Sequence, residues 1–347
     1  MESYAPYAAM VAVQLSTGAA SILLQVALAK GQNQFVFMVY IHILSTIILA
    51  PFAYLFERSQ RPPLSFPLVM KVFVLTALGI ATHHNLDFLG LAYTSATVES
   101  ALSNLVPSLT FLVAFLLRME TLNIKSKSGF AKVFGTIICI GGSLIFTLWK
   151  GGYLYGTSSD RPLIHYLTHG LKPHKENWIK GTALILSANI AWSLWLVLLA
   201  MVFKDYSAPL SLNTLICFFA TIQSSVVALV LARDPALWKL GWNEKLLSIL
   251  YCGILLPIFA YYLQTWCISK NGPVFTSMFS PLRVLIVGIF AAVAFAERLH
   301  VGSLVGSILI VFGLYCYLWG KRQDSSATEE LQKAKSSSER NEEDEIA

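Results

Sequence analysis

Charge is scarce in this chain. Asp, Glu, Lys and Arg make up 13% of its 347 residues, against about 25% in an ordinary soluble domain. A chain so poor in charge cannot cover a water-facing globular surface, which excludes a string of soluble domains. Cysteine is sparse as well. Cys139, Cys217, Cys252, Cys267 and Cys316 all lie in apolar stretches with no CxxC or metal-ligand spacing, so they read as small packing residues. A Walker A loop, a nucleophile elbow and an HExxH pair are all missing. The Gly-Thr-Ser-Ser at Gly156 lacks the strand–helix context of a phosphate loop. With no reactive constellation, neither an enzyme nor a cofactor is expected.

What the chain has is apolar length. It is 56% hydrophobic with a mean hydropathy of +0.63. A helix needs about 20 apolar residues to cross the hydrocarbon core. Ten runs qualify, at about 7–29, 35–56, 68–92, 95–118, 130–149, 180–203, 211–232, 246–268, 274–296 and 301–319. They must be helices, because lipid satisfies no backbone hydrogen bonds, and porin-like alternation is absent. The first run lacks a basic flank and a cleavage pattern, so it reads as a span, not a signal peptide. The expected fold class is an all-α membrane protein of ten transmembrane helices.

The long polar stretch between Lys150 and Ile179 divides five helices from five. The expected organisation is 1–150, a first five-helix repeat; 151–179, an extramembrane loop; 180–320, a second repeat; and 321–347, a disordered charged tail ending Glu342-Glu343-Asp344-Glu345. Leu117-Arg118-Met119-Glu120 followed by Gly135…Gly142 and Trp149-Lys150 parallels Phe295-Ala296-Glu297-Arg298 followed by Gly306…Gly313 and Trp319-Gly320-Lys321. An odd helix count per half inverts the second half relative to the first, a transporter pattern. Arg58, Arg61, Lys71, Lys125, Lys127 and Lys132 gather on one side of the first half, with Lys30 alone on the other. The positive-inside rule then makes both termini cytosolic, although Arg233, Lys239, Lys245 and Arg298 oppose it in the second half. The basic residues report orientation, and no nucleic acid is expected.

Polar residues inside spans are costly and tend to face a cavity or a partner. Gln14, Thr17, Gly18, Ser21 and Gln25 share a face of the first run. Thr76, His83 and Asp87 share one in the third. Glu99 and Ser103, and Ser100, Asn104 and Ser108, stack in the fourth; Asn189 and Ser193 pair in the sixth beside Trp192 and Trp195. Tyr261 and Gln264 follow Pro257 in the eighth, and Thr276, Ser280 and Arg283 surround Pro281 in the ninth. The six helices are therefore expected to line a central cavity; the plainer reading is that the hydroxyls and amides join helices by hydrogen bonds. Runs five and ten carry Gly135, Cys139 and Gly142, and Gly302, Gly306 and Gly313, and read as packing helices. Pro107 and Pro281 read as kinks or hinges within their spans. His165 and His169 have ligand spacing, with His174 nearby, but solvated loop histidines are the better reading, and no metal is assigned.

These residues add up to a resemblance. Tyr93-Thr-Ser-Ala-Thr-Val-Glu-Ser-Ala-Leu-Ser-Asn-Leu-Val-Pro-Ser-Leu-Thr-Phe111 resembles the fourth-helix signature of the plant nodulin-like, Walls-Are-Thin-related (UMAMIT) transporters, of the drug/metabolite transporter superfamily with its EamA domains. Pro51-Phe-Ala-Tyr-Leu-Phe-Glu-Arg58, Tyr262-Leu-Gln-Thr-Trp266, Gly272-Pro-Val-Phe275, Phe279-Ser-Pro-Leu282 and the run from Gly302 to Lys321 carry the likeness on. The resemblance implies two inverted five-helix EamA repeats around a central cavity. It also implies transport of amino acids, often in both directions, or of the auxin indole-3-acetic acid. It departs from the family pattern at three positions: Asp87 stands where an aromatic is usual, Glu99 where a small residue is usual, and Arg283 where an apolar one is usual.

The resulting expectation is a transporter of small organic solutes, amino acids first, auxin as the alternative, a proton-coupled metabolite exporter as the second alternative. Gln14, Glu99, Ser103, Asn104, Trp192, Gln264, Ser280 and Arg283 are the candidate substrate-binding residues. Arg283 would take a carboxylate and Glu99 an ammonium, the two pairing when the cavity is empty. Asp87 with His83 is the candidate proton couple; Pro107 and Pro281 are the candidate hinges. The expected partners are the solute and the lipid bilayer, with a homo-oligomer left open. The expected membrane is the plasma membrane, with the vacuolar membrane as the alternative.

Overall fold

The computed structural model describes residues 4–29, 31–59, 61–93, 99, 102–119, 126–149, 153–155, 178–240, 244–294 and 299–346. Eight helices among the described residues are long and apolar enough to cross a membrane: Ala5–Leu24, Gln34–Glu57, Phe66–Leu91, Lys127–Phe146, Ile179–Asp205, Pro209–Leu231, Lys245–Ser277 and Leu304–Asp324. The shorter Val106–Leu116 and Ser280–Ala294 occupy the places of the fourth and ninth spans. The chain is thus an all-α membrane protein, with the helices where the apolar runs put them. A two-stranded antiparallel ladder, Tyr153–Tyr155 with Leu299–His300, joins the end of the fifth span to the start of the tenth.

Local chemistry sets the helix ends. Asn33 caps the second span by accepting from the amides of Phe35 and Val36 at 3.0 and 3.3 Å. Ser126 caps the fifth through the Gly129 amide at 3.0 Å. The seventh span begins at Pro209 and has no local side-chain cap. Its first amides, Leu210 and Ser211, instead donate to Glu57 at the end of the second span, at 2.9 and 2.7 Å. A carboxylate there also meets the positive end of the helix dipole.

The two halves pack in one pattern. The fourth span packs on the sixth, and its counterpart the ninth packs on the first. Likewise the third lies on the sixth and the eighth on the first, while the second meets the seventh and the fifth meets the tenth. Contacts between span ends agree with inversion. Lys71, early in the third span, pairs with Asp205 at the end of the sixth at 2.5 Å. Lys132, buried near the start of the fifth, pairs with Asp324 at the end of the tenth. At the opposite face the Lys180 ammonium lies 4.6 Å from the Tyr93 ring, and the Tyr40 hydroxyl donates to the Trp238 carbonyl at 2.8 Å. Large apolar side chains such as Leu55, Ile137, Leu229 and Ile308 are exposed on the outside, the surface that lipid covers.

The fifth and tenth spans interlock through glycines, as expected of packing helices. A Cβ built on Gly142 would meet Leu309 Cβ at 2.6 Å, and one on Gly306 would meet the Gly142 carbonyl oxygen at 2.7 Å. Such backbone-to-backbone approach is how membrane helices gain van der Waals contact without a hydrophobic driving force.

Several spans are not continuous α-helices. In the third, Ala77–Thr82 is π-helical between Phe66–Thr76 and His83–Tyr93; in the eighth, Tyr251–Tyr261 is π-helical between Glu244–Leu250 and Tyr262–Ser277. The two π segments fall in the helices that correspond between the halves. Gly272 (φ 85°, ψ 167°) ends the eighth span and Pro273 starts the ninth, since only glycine adopts that backbone without strain.

Two expectations need correction. Pro107 and Pro281 do not kink continuous helices. Turns at Asn104–Leu105 and Met278–Phe279 break the fourth and ninth spans, and each proline sits in the first turn of the half-helix that follows, where its missing N–H costs nothing. Nor is the backbone irregular from Lys321 on: the tenth helix continues as Val301–Ile346. The tail is rich in Glu, Lys, Gln and Ala, good helix formers. The loop residues 156–177, with His165, His169 and His174, lie outside the described residues, as do Ser100 and Glu120.

Candidate functional site

Three ionisable side chains from three spans share one electrostatic neighbourhood. Asp87 on the third span interacts with Glu99 on the fourth, and both feel the charge of Arg283 on the ninth. Arg283 also acts on His83 and His84. Asp87 and Glu99 of the first half thus converge with Arg283 of the second. The expected Glu99–Arg283 ion pair is not formed among the described residues. Instead Ser103 Oγ, one turn along, donates to Glu99 Oε1 at 3.0 Å. Asp87 Oδ1 is buried and without a hydrogen-bond partner.

The histidines beside this cluster are fixed by backbone carbonyls. His83 Nδ1 lies 3.0 Å from the Ala188 carbonyl of the sixth span, and His84 Nδ1 lies 3.0 Å from that of Ile80. A carbonyl only accepts, so Nδ1 carries the proton in each and Nε2 faces elsewhere. Ile80 is in the π segment, so that segment directly orients His84. The rings lead into an aromatic stack: His83 is 4.9 Å from Trp192, and Trp192 is 4.6 Å from Trp195 at 23°.

Two cavities adjoin this stack. One, small, at about 20 Å³, is lined by residues of the second, third and seventh spans, among them His42, His84, Asn85 and Ser224. The other, smaller still, at about 10 Å³, is lined by residues of the third, sixth, seventh and eighth, among them His84, Trp192, Trp195, Asn213 and Tyr261. Ile80 and His84 belong to both walls. The lining helices differ from the expected six. The second and seventh contribute, while the first, fourth and ninth supply no residue to these two cavities. Of the eight candidate substrate-binding residues, Trp192 alone lines either one.

The remaining candidates divide. Asn104 is buried at the break in the fourth span with Nδ2 unpaired. Ser280 and Arg283 stand in the first turn of the half-helix after the break in the ninth. Gln14 of the first span and Gln264 of the eighth are both buried, and those two spans pack together. Many polar-face hydroxyls turn back on their own helix: Thr17 bonds the Val13 carbonyl, Ser21 that of Thr17, and Thr76 that of Val72, at 2.8 to 2.9 Å. For these the plainer structural reading holds. His42 and Asn213 were missed by sequence reasoning. The signal was present: Ser45 and Thr46 lie at i+3 and i+4 from His42, and Ser211 and Thr214 flank Asn213, so the second and seventh runs also carry polar residues that were not weighed as a face.

Comparison with known proteins meets this geometry at the same places. The family model for the EamA-like transporter family matches residues 5–148 and 179–319, one copy per half. Three WAT1-related proteins of Arabidopsis thaliana are 41%, 36% and 38% identical, over 93%, 94% and 94% of this chain and 92%, 83% and 92% of their own lengths. The chain is a WAT1-related member of the EamA-like transporter family. A solved crystal structure of a protein 17% identical in sequence superposes with a TM-score of 0.66, covering 90% of this chain and 98% of the other; that likeness concerns the fold. As an EamA-like transporter the chain is a multi-pass membrane carrier of small solutes. Its two EamA units are the two five-helix halves, and the ionisable cluster lies where helices of both meet.

Proposed function

We propose that this EamA-like transporter moves amino acids across the plasma membrane, by facilitated passage in either direction, with both termini in the cytosol. The observation that carries the reading is the gathering of Asp87, Glu99 and Arg283 in one membrane-embedded neighbourhood. Charges at such depth are costly and are kept where they pair with a solute or with each other. With both carboxylates ionised, they and the one guanidinium would carry a net charge of −1. A zwitterion adds no net charge: its carboxylate suits Arg283, bidentately, and its ammonium suits Glu99. A solute with only a carboxylate would raise the net charge to −2 and require a proton on Asp87 or Glu99. Glu99, which accepts only from Ser103, and Arg283 would then take the two ends of one ligand.

Auxin is the second reading, supported by the stacked rings of Trp192 and Trp195. Uptake and efflux of labelled amino acids against labelled indole-3-acetate, in one expression system, separate the two. Saturable amino-acid flux supports the proposal, and auxin flux without it sinks it. Transport would proceed by rocking one half against the other, with the breaks before Pro107 and Pro281 as hinges. Proton coupling would fall to Asp87 with His83, and a vacuolar location is the alternative to be tested by tagging.

A further inference from the structure

One short segment fills the protein between the ionisable cluster and the face that carries both termini. After Ser269 and Lys270, which are exposed, the chain turns inward at Gly272 (φ 85°, ψ 167°). From Val274 to Phe279 every residue is 3% exposed or less, whereas Asp87, Glu99, Ser103 and Arg283 are partly exposed. Val274 and Met278 belong to one apolar cluster with Ala114 of the fourth span and Val197 of the sixth. Phe275 and Phe279 belong to another with Met10 and Val13 of the first. The Tyr7 ring of the first span lies 5.4 Å from that of Phe275, edge to face.

Chain order fixes the level of these contacts. The first and ninth spans start at the termini face. There Met10 and Val13 precede Thr17 and Ser21, and Val274–Phe279 precedes Arg283. The fourth and sixth spans end at that face. In them Ala114 follows Glu99 and Ser103, and Val197 follows Trp192. On all four spans the apolar layer therefore lies on the termini side of the polar groups. A dry apolar constriction of this kind stops water and charged solutes.

The segment is also free to leave. It has a joint at each end, Gly272 at one and the turn at Met278–Phe279 at the other. Its hydroxyls bond within it: Thr276 Oγ1 donates to the Gly272 carbonyl at 3.4 Å and Ser277 Oγ to that of Val274 at 2.9 Å. Among the described residues its one hydrogen bond to another span runs from Thr136 Oγ1 to the Met278 sulfur at 3.6 Å, and a thioether is a weak acceptor. Withdrawing the segment thus strips no other span of a strong hydrogen-bond partner. We propose that Gly272–Phe279 is the gate of the termini face, a jointed plug whose Val274, Phe275, Met278 and Phe279 side chains close the way to Asp87, Glu99 and Arg283. The gate rests on the transport reading above and names the element that must move for the site to open on this side.

Ser103→Cys places a reporter thiol one turn from Glu99. In sealed vesicles of known orientation, a membrane-impermeant cationic thiol reagent is applied from one face or the other. A parent without the reporter corrects for the native cysteines. Trimming the plug by Phe279→Ala or Phe275→Ala is expected to speed modification from the termini face by about tenfold or more, and to change it from the opposite face by less than about twofold. Size-exclusion profiles in detergent show whether each variant is folded; where one is not, the other decides. An equal gain from both faces, or no gain from the termini face in a folded variant, overturns the gate. A gain from the termini face alone, in a protein that carries neither labelled amino acids nor labelled indole-3-acetate into proteoliposomes, leaves the gate standing and removes the transport reading.

Discussion

Gly135 and Gly313 lie against each other across the fifth and tenth spans. A Cβ on Gly135 would meet the Gly313 carbonyl oxygen at 2.6 Å, and one on Gly313 would meet that of Gly135 at 2.7 Å. Neither backbone can yield without parting the helices. Gly313→Val is therefore expected to destabilise the protein by about 1–3 kcal/mol, the usual range for overpacking. Thermal unfolding in detergent should fall by several degrees. An unchanged midpoint would show that the two helices separate freely.

Glu57 bridges the halves by capping the seventh span. Glu57→Ala leaves the Leu210 and Ser211 amides without their acceptor, at a cost of about 0.5–2 kcal/mol. Glu57→Gln keeps an acceptor but loses the charge at the helix dipole, and should cost less. The expected order of melting temperatures is wild type, Glu57→Gln, Glu57→Ala, with the KM for solute unchanged throughout.

Arg283 is the cation among the three clustered groups. Arg283→Leu is expected to lower amino-acid uptake at least tenfold, and Arg283→Lys to recover part of it, because a point charge replaces the bidentate fork. Binding of both amino acids and indole-3-acetate unaltered by Arg283→Leu would end its assignment as the carboxylate partner.

Asp87 has a buried oxygen with no partner, so a proton is its readiest companion. In proteoliposomes with the exterior made acidic, wild-type uptake should rise and Asp87→Asn uptake should not respond. Wild-type flux indifferent to the gradient would leave a uniporter, with Asp87 and His83 as structural polar groups.

The spans were legible because lipid leaves helices no alternative, and a 20-residue apolar run needs no tertiary information to be read. The glycines of the fifth and tenth spans were legible for the same reason: close packing demands small residues whatever the partner. The Glu99–Arg283 pairing was not, since it depends on the relative depth and rotation of helices from opposite halves. Glu99 found Ser103 on its own helix first. Asn213 escaped notice because its meaning comes from Thr265, 52 residues away and on another span. The breaks before Pro107 and Pro281 were marked by the right residues but read as kinks, because a proline in sequence does not tell whether the helix before it persists.

The π segments give the third and eighth spans a spare residue each relative to an α-helical ladder. Regularising one such turn advances everything beyond it by one helical step, about 100° of rotation and 1.5 Å of rise. Beyond Thr82 that step would carry His83, His84 and Asp87 together to new bearings, and beyond Tyr261 it would carry Gln264 and Thr265. Each half thus holds a place where the register of a span could change without unfolding a helix.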